Sequence, residues 1–306
     1  MIQNRESQSI LITGESGAGK TENTKKVIQY LAAISPSSTS NKPGSLEQQI
    51  LQANPILESF GNAQTLRNNN SSRFGKFIRL EFNPAGQICS ANIERYLLEK
   101  SRVTHQTSKE RNYHVFYQLM KGAPSEIKNR LLLDGSLSDY RFLKESKKDI
   151  EGVDDAAEFK ALSNAMSIMC ISEDEQFSLY RVIAAIMHLG NISVIGDKED
   201  QAQMTESGHS VVEKVCHVLG IPVPDFTKSL LKPKIKAGRD WVTQARNVSQ
   251  VVYSIEALAR ALYERMFGKL VDRINEAISY PSSKSTFIGV LDIAGFEIFE
   301  VRESIT

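Results

Sequence analysis

Cysteine is scarce in this 306-residue sequence: there are three, Cys89, Cys170 and Cys216. Their odd number and irregular spacing exclude a disulfide-stapled framework and point to a reducing, cytosolic compartment. No run of about 18 apolar residues occurs, so no membrane-spanning helix is expected. Residues 1–30 lack the order of charged, apolar and small residues that marks a secretory leader. Neither sign of charge is in excess, with 37 Lys and Arg against 36 Asp and Glu. A global basic field for nucleic acid is therefore absent, and no nucleic-acid partner is expected. Internal repeats are lacking too. What remains is 41% hydrophobic and 24% charged, the mix of an ordinary globular chain, which rules out a disordered or collagen-like protein. The length predicts one or two domains.

The hydrophobic pattern alternates between strand and helix. Ser9-Ile10-Leu11-Ile12 reads as a buried strand, and Phe287-Ile288-Gly289-Val290-Leu291-Asp292-Ile293 as a second. A buried parallel strand needs neighbours on both sides, so strands this close to both ends suggest a piece of a larger domain. The alternative is a complete α/β domain with short edges. Residues 20–33 read as a helix with Val27, Ile28, Leu31 and Ala32 as its apolar stripe, and 35–45 as a Pro/Gly/Ser-rich surface loop. Residues 46–60 read as helical with a break at Asn54-Pro55. Residues 77–82 and 87–93 form a hairpin about the turn Asn83-Pro84-Ala85-Gly86. Helices are predicted over 113–120, 156–169, from the capping box at Ser172 to Leu189 with Gly190 closing it, over 208–219 with Pro222 and Pro224 ending it, and over 247–278. Residues 232–246 read as a basic loop.

Gly14-Glu15-Ser16-Gly17-Ala18-Gly19-Lys20-Thr21 matches the phosphate-loop pattern G-x-x-x-x-G-K-[ST] completely, with a strand before it and a helix after. The glycines let the backbone fold so that successive N–H groups and the helix N-terminus face a phosphate. Lys20 is placed to reach the β- and γ-phosphates, and the Thr21 hydroxyl to ligate Mg²⁺. A chance Gly-rich turn followed by Lys-Thr is the competing reading. The expected ligands are ATP and Mg²⁺. A guanine reader of the form Asn-Lys-x-Asp is not found, which argues against a GTPase.

Two further segments carry groups suited to sensing a phosphate. Asn68-Asn69-Asn70-Ser71-Ser72-Arg73-Phe74-Gly75-Lys76 supplies hydroxyls and an Arg ahead of a strand, and Asp292-Ile293-Ala294-Gly295-Phe296-Glu297 supplies two carboxylates around a Gly. Singly, an Asn-rich run is usually a turn, and D-x-x-G is common in loops. Together, in this order and wording, the three segments resemble those of the myosin motor domain. Asn68 to Lys76 resembles its switch I, and Leu291 to Phe299 its switch II. Kinesins end switch I in Ser-Ser-Arg-Ser-His and write switch II as Asp-Leu-Ala-Gly-Ser-Glu, and this chain does neither. Tyr96-Leu97-Leu98-Glu99-Lys100-Ser101-Arg102-Val103 and Glu110-Arg111-Asn112-Tyr113-His114-Val115-Phe116-Tyr117 look like segments of conventional, class II myosins.

The resemblance implies an α/β fold: a P-loop NTPase-type central sheet with a large, mainly helical insertion, incomplete at both ends. Its parts would be the phosphate loop and helix (1–34), a surface loop (35–45), switch I and hairpin (46–109), a helical upper subdomain (110–279) and the switch II strand (286–299). By the same resemblance Gly14, Glu15, Ser16, Gly17, Ala18 and Gly19 would wrap the phosphates, Lys20 would hold them, and Thr21 and Ser72 would ligate Mg²⁺. Asn68 and Ser71 would face the phosphates, Asp292 would hold the metal through water, and the Gly295 N–H would bond the γ-phosphate. Arg73 and Glu297 would pair across the two switches, neither having an obvious partner in its own segment.

Residues 232–246 carry five basic residues, and their plain reading is a solvated loop with Trp241 as a buried anchor. By resemblance they form a loop that touches the actin filament, through Lys234, Lys236, Arg239 and Asp240. In that family the position 16 before the acidic residue of the Glu256-Ala257-Leu258-Ala259 segment is acidic or phosphorylatable, and here it is Asp240. The resemblance implies an ATP-driven, actin-based motor of the cytoplasm, with light chains and dimerisation confined to a lever and tail outside this sequence. The family usually continues Asn-Ser-Phe after Val301, whereas Arg302-Glu303-Ser304 departs. A truncated, non-motor remnant with weak nucleotide binding, or none, is the alternative, and a P-loop kinase a remote third.

Overall fold

The computed structural model describes residues 4, 6–15, 17–35, 46–238, 240–280 and 285–293. Strand β1 (Gln8–Ile12) runs through the glycine-rich loop into α1 (Lys20–Ile34), and α2 (Leu46–Gly61) follows. A short antiparallel pair, β2 (Asn62–Ala63) and β3 (Ser71–Ser72), leads into the hairpin of β4 (Gly75–Phe82) and β5 (Ile88–Tyr96). Five helices come next: α3 (His114–Gly122), α4 (Ser125–Arg130), α5 (Arg141–Lys144), α6 (Asp155–Ile168) and α7 (Glu173–Gly190). The ribbon β6 (Val194–Gly196) and β7 (Ala202–Met204), then α8 (Glu206–Leu219) and α9 (Val223–Leu231), precede a second ribbon, β8 (Lys234–Ala237) and β9 (Asp240–Thr243). The 31-residue helix α10 (Val248–Ile278) and strand β10 (Thr286–Asp292) complete the order.

Four strands form the main sheet in the order β1-β10-β4-β5. β10 is parallel to β1 and antiparallel to β4, so the sheet is mixed. This pairing puts the C-terminal end of β10 beside the end of β1 that enters the glycine-rich loop. It also sits beside the start of β4, which follows β3.

Apolar residues of α10 recur every three or four positions, with Val251, Ile255, Ala259, Tyr263, Leu270, Ile274 and Ile278 all buried. That stripe packs against α2, α7 and β5. The helix also satisfies the open edge of β5. The Asn275 amide accepts from the Ile93 N–H at 2.8 Å and donates to its carbonyl at 2.9 Å, while the Ser279 hydroxyl donates to the Ala91 carbonyl. An edge strand that would otherwise present unpaired backbone groups is thereby closed. Tyr263 donates to the Phe60 carbonyl at 2.7 Å, tying α10 to the C-terminal end of α2.

Several sequence expectations need correction. β1 forms, and runs parallel to β10, but it is not buried: Leu11 is 61% exposed, because among the described residues β1 is an edge strand with β10 as its neighbour. Pro55 does not break α2, which continues through it. Proline removes one intrahelical donor, and the apolar face (Ile50, Ala53, Ile56, Leu57, Phe60) holds the helix together. Gly190 is the last residue of α7 instead of lying beyond it. Pro222 and Pro224 do not end α8: Gly220 does so in the left-handed conformation (φ 72°), and the prolines open α9. The capping box at Ser172 forms as read, with Glu175 reaching back to the Ser172 N–H. The basic segment is a hairpin, not an irregular loop, and its Trp241 is 65% exposed, not a buried anchor. The ribbon is a separate two-stranded sheet, and among the described residues no further strand joins it to cover the indole. Among the described residues no helix is long and apolar enough to cross a membrane.

Candidate phosphate and metal site

The loop between β1 and α1 is shaped by its glycines. Gly17 (φ 85°) and Gly19 (φ 83°) occupy left-handed backbone, where a side chain is strained, and Gly19 is the residue from which α1 starts. A Cβ on Gly17 would also lie 3.3 Å from the Arg67 carbonyl, so the loop packs closely on the segment leading to β3. The Ala18 N–H donates to the Glu15 carbonyl at 3.1 Å, closing the turn. Lys20 folds back over it, its ammonium donating to the carbonyls of Gly14 (2.7 Å) and Glu15 (2.6 Å). The cation is thus held against the loop's own backbone. Ser16 lies outside the described residues.

Three residues distant in sequence meet at the base of this loop. The Thr21 hydroxyl donates to Asp292 Oδ2 at 3.0 Å and lies 3.2 Å from the Ser72 hydroxyl. Thr21 is in the first turn of α1, Ser72 in β3 and Asp292 at the end of β10. Two hydroxyls and a carboxylate are hard oxygen donors, the set that Mg²⁺ takes together with water and phosphate. The residues present therefore fit the implied metal. Asp292 is buried, and Lys76 of β4, equally buried, sets its ammonium 3.5 Å from the same Oδ2. Lys76 had no role in the sequence reading. Only the register of β4 on β10, which makes Lys76 and Asp292 opposite partners, brings it to the site.

The segment before β3 is organised by its own amides. Asn68 Oδ1 accepts from the Asn70 N–H at 2.9 Å, and the Asn68 carbonyl accepts from the Thr65 N–H at 2.8 Å, so Asn68 fixes a tight turn facing Gly17. Asn70 Oδ1 accepts from Asn62 (2.9 Å) and lies 3.1 Å from His114 Nε2, while its Nδ2 donates to Glu58. Burial drives His114 down to about 3, so the ring is neutral and Nε2–H is the donor to Asn70.

Arg73 takes partners both from the chain after β5 and from its own segment. Its Nε donates to Glu99 Oε2 at 2.6 Å and its Nη1 to the Ser71 hydroxyl at 3.0 Å. Glu99 also accepts from Arg102, and its main chain is pinned by the Arg73 carbonyl and the Tyr113 hydroxyl. Glu99 is a second such residue, with no local pattern around it that marks it out. The proposed partner Glu297, and Gly295, lie outside the described residues.

In the hairpin, Lys234, Lys236 and Asp240 are exposed, and Trp241 is the register partner of Lys236. Arg239 lies outside the described residues. The ribbon joins α9 to α10 and offers two ammonium groups, a carboxylate and an indole to solvent.

A family model described as the myosin head (motor domain) matches residues 1–304. The chain is similar to myosin type-2 heavy chain 1 of Schizosaccharomyces pombe, with 54% identity over 98% of this chain and 20% of that protein. Similarity to myosin type-2 heavy chain 2 of the same organism is 52% over 98% of this chain and 14% of the relative. For Myosin-1 of Saccharomyces cerevisiae it is 50% over 98% and 16%. The chain therefore spans a fifth or less of these curated relatives' own length. The type-2 names of the two Schizosaccharomyces pombe relatives agree with the class II resemblance.

Proposed function

The chain belongs to the myosin head family, and from that premise we propose that it is the nucleotide-sensing part of an ATP-driven, actin-based motor. Its mixed sheet is the P-loop NTPase-type centre, residues 110–279 the helical insertion of the upper subdomain, and residues 232–246 the actin-facing element. The observation that carries this reading is the meeting of Thr21, Ser72 and Asp292 at 3.0–3.2 Å beneath a complete phosphate loop.

Little covalent chemistry is asked of the protein in phosphoryl transfer; positioning and charge stabilisation dominate. Lys20 leaves the Gly14 and Glu15 carbonyls for the β- and γ-phosphates of ATP, which it meets without leaving the loop. Thr21 and Ser72 would hold Mg²⁺ directly and Asp292 through water. Bound there, the ion supplies neutralisation of charge on the phosphate oxygens. Asn68 and Ser71 face the phosphates, and Ser71 orients the attacking water while Arg73 fixes the Ser71 hydroxyl. Gly295 and Glu297 complete the closed state, Gly295 by its N–H to the γ-phosphate and Glu297 by pairing with Arg73. Release of phosphate then frees the segment after β10, and that change reaches actin and lever. Slow product release, accelerated by the filament, follows from such gating.

The test is ATP hydrolysis by the 306-residue chain in Mg²⁺, with and without actin filaments, alongside Lys20→Ala. Feeble hydrolysis that vanishes in Lys20→Ala supports the assignment. Activity indifferent to that substitution would overturn the site, and absence of any Mg-dependent nucleotide binding would favour a non-motor remnant.

A further inference from the structure

Lys76 reaches the candidate site through Asp292. Strand register places it there: on β4 it faces Asp292 of β10 on one side and Arg95 of β5 on the other. Its ammonium lies 3.5 Å from Asp292 Oδ2, the same oxygen that accepts from the Thr21 hydroxyl at 3.0 Å. Both members of the ion pair are 3% exposed, so their charges act in surroundings that screen far less than water. Among the described residues Asp292 is the one carboxylate paired with Lys76. Arg73 has its own counter-ion in Glu99. Lys20 bonds two carbonyls, which leave its charge uncancelled. The base of the loop therefore brings two ammonium groups and one carboxylate to the oxygens of Thr21 and Ser72.

We infer that Lys76 is a specificity-determining residue of this site: its fixed charge lets the hydroxyl–carboxylate cluster take a divalent cation together with a triphosphate and refuses the cation alone. The inference rests on the reading of Thr21, Ser72 and Asp292 as the metal set. A bare dication at those oxygens meets a carboxylate already neutralised by Lys76 and a second ammonium in Lys20. Repulsion then outweighs what the shared carboxylate offers. A triphosphate brings more negative charge than the metal brings positive, and the same two ammonium groups attract the complex. A neutral donor in place of Lys76 would still hold Asp292 by a hydrogen bond. The cation does more, because it makes each ligand's affinity depend on the other. Lys76 acts through Asp292 and through its charge, so it is a positioning residue and not a catalytic one.

The test is a pair of titrations on the 306-residue chain and on Lys76→Gln, whose amide keeps a donor for Asp292 and removes the charge. Mn²⁺, which suits the same oxygen donors as Mg²⁺, is titrated without nucleotide and followed by loss of its free-ion EPR signal. A fluorescent ATP analogue is titrated in EDTA, without metal. In Lys76→Gln, Mn²⁺ should bind about tenfold more tightly and the metal-free analogue about tenfold more weakly. The opposite signs discriminate, since a variant that merely loosens the site weakens both. Lys76→Arg keeps the charge and should leave both constants unchanged. If Lys76→Gln melts too low to titrate, Lys76→Met with Asp292→Asn replaces it. One charge of each sign is then gone, so the metal-free analogue should bind as it does to the unaltered chain. Affinities that fall together or stay unchanged in Lys76→Gln, or a double variant that loses the analogue, would overturn the inference and leave the metal set standing. An unaltered chain that binds neither the analogue nor Mn²⁺ in its presence would overturn the metal reading, and this inference with it.

Discussion

Lys76 and Asp292 face each other across β4 and β10 as register partners, ammonium to carboxylate at 3.5 Å, each side chain 3% exposed. A pair this deep is costly to break from one side, because the survivor is a buried charge without a counter-ion. Lys76→Met should destabilise the chain by about 3–5 kcal/mol, and adding Asp292→Asn should recover most of that loss. Urea denaturation of the two single variants and the double decides it. A double variant as unstable as the sum of the singles would show that the two side chains do not act as a pair.

Thr21 contributes its hydroxyl to both Ser72 and Asp292 and buries little else. Thr21→Val keeps the β-branched shape and removes only that oxygen. The variant should raise the Mg²⁺ concentration needed for half-maximal ATP binding by about tenfold, the size of one lost ligand-quality contact. A fluorescent ATP analogue titrated at several Mg²⁺ concentrations reads this directly, and an unchanged Mg²⁺ requirement would remove Thr21 from the metal set.

His114 makes stability depend on acid. Its ordinary value is 6.5, and burial lowers it to about 3 in the fold. Between those values the unfolded chain binds the proton and the folded one does not. The stabilisation is therefore complete above 6.5 and is lost progressively as pH falls toward 3. From pH 7 to pH 5 this one ring should cost the chain about 2 kcal/mol. His114→Gln keeps a donor for Asn70 and should flatten that part of the pH profile in denaturant melts. A profile as steep as the original would assign the acid sensitivity elsewhere.

The exposed hairpin allows a test on the parent heavy chain. If β8 and β9 meet an acidic filament, Lys234→Glu with Lys236→Glu should abolish most actin activation of the ATPase while sparing the basal rate, and added salt should mimic the change. Asp240→Ala should also lower actin activation, as the family position implies. Retention of full activation in Asp240→Ala would sever the hairpin from that role.

The glycine spacing, the Lys-Thr pair and the strand–helix context make the phosphate-loop pattern legible in the sequence alone. The capping box at Ser172 and the 31-residue span of α10 were legible for the same reason, being set by neighbours along the chain. Residues fixed by pairing across the sheet were not. Lys76 gains its role from register, Glu99 from the way the chain after β5 returns under Arg73, and neither leaves a local pattern. Exposure was the other blind spot. Ile10-Leu11 and Trp241 look like core residues by hydropathy, yet what covers a strand or an indole depends on layers elsewhere.

β10 has a parallel neighbour on one side and an antiparallel neighbour on the other. Slipping it by one residue against either would turn Asp292 to the opposite face of the sheet. The hydroxyl–carboxylate cluster therefore depends on a single assembly of three strands, in which β10 lies more than 200 residues along the chain from both of its neighbours. If the cluster holds the metal proposed above, ligand affinity doubles as proofreading of the fold: a chain that paired its strands incorrectly would have no metal site to fill, and nucleotide would stabilise only the copies that paired them correctly.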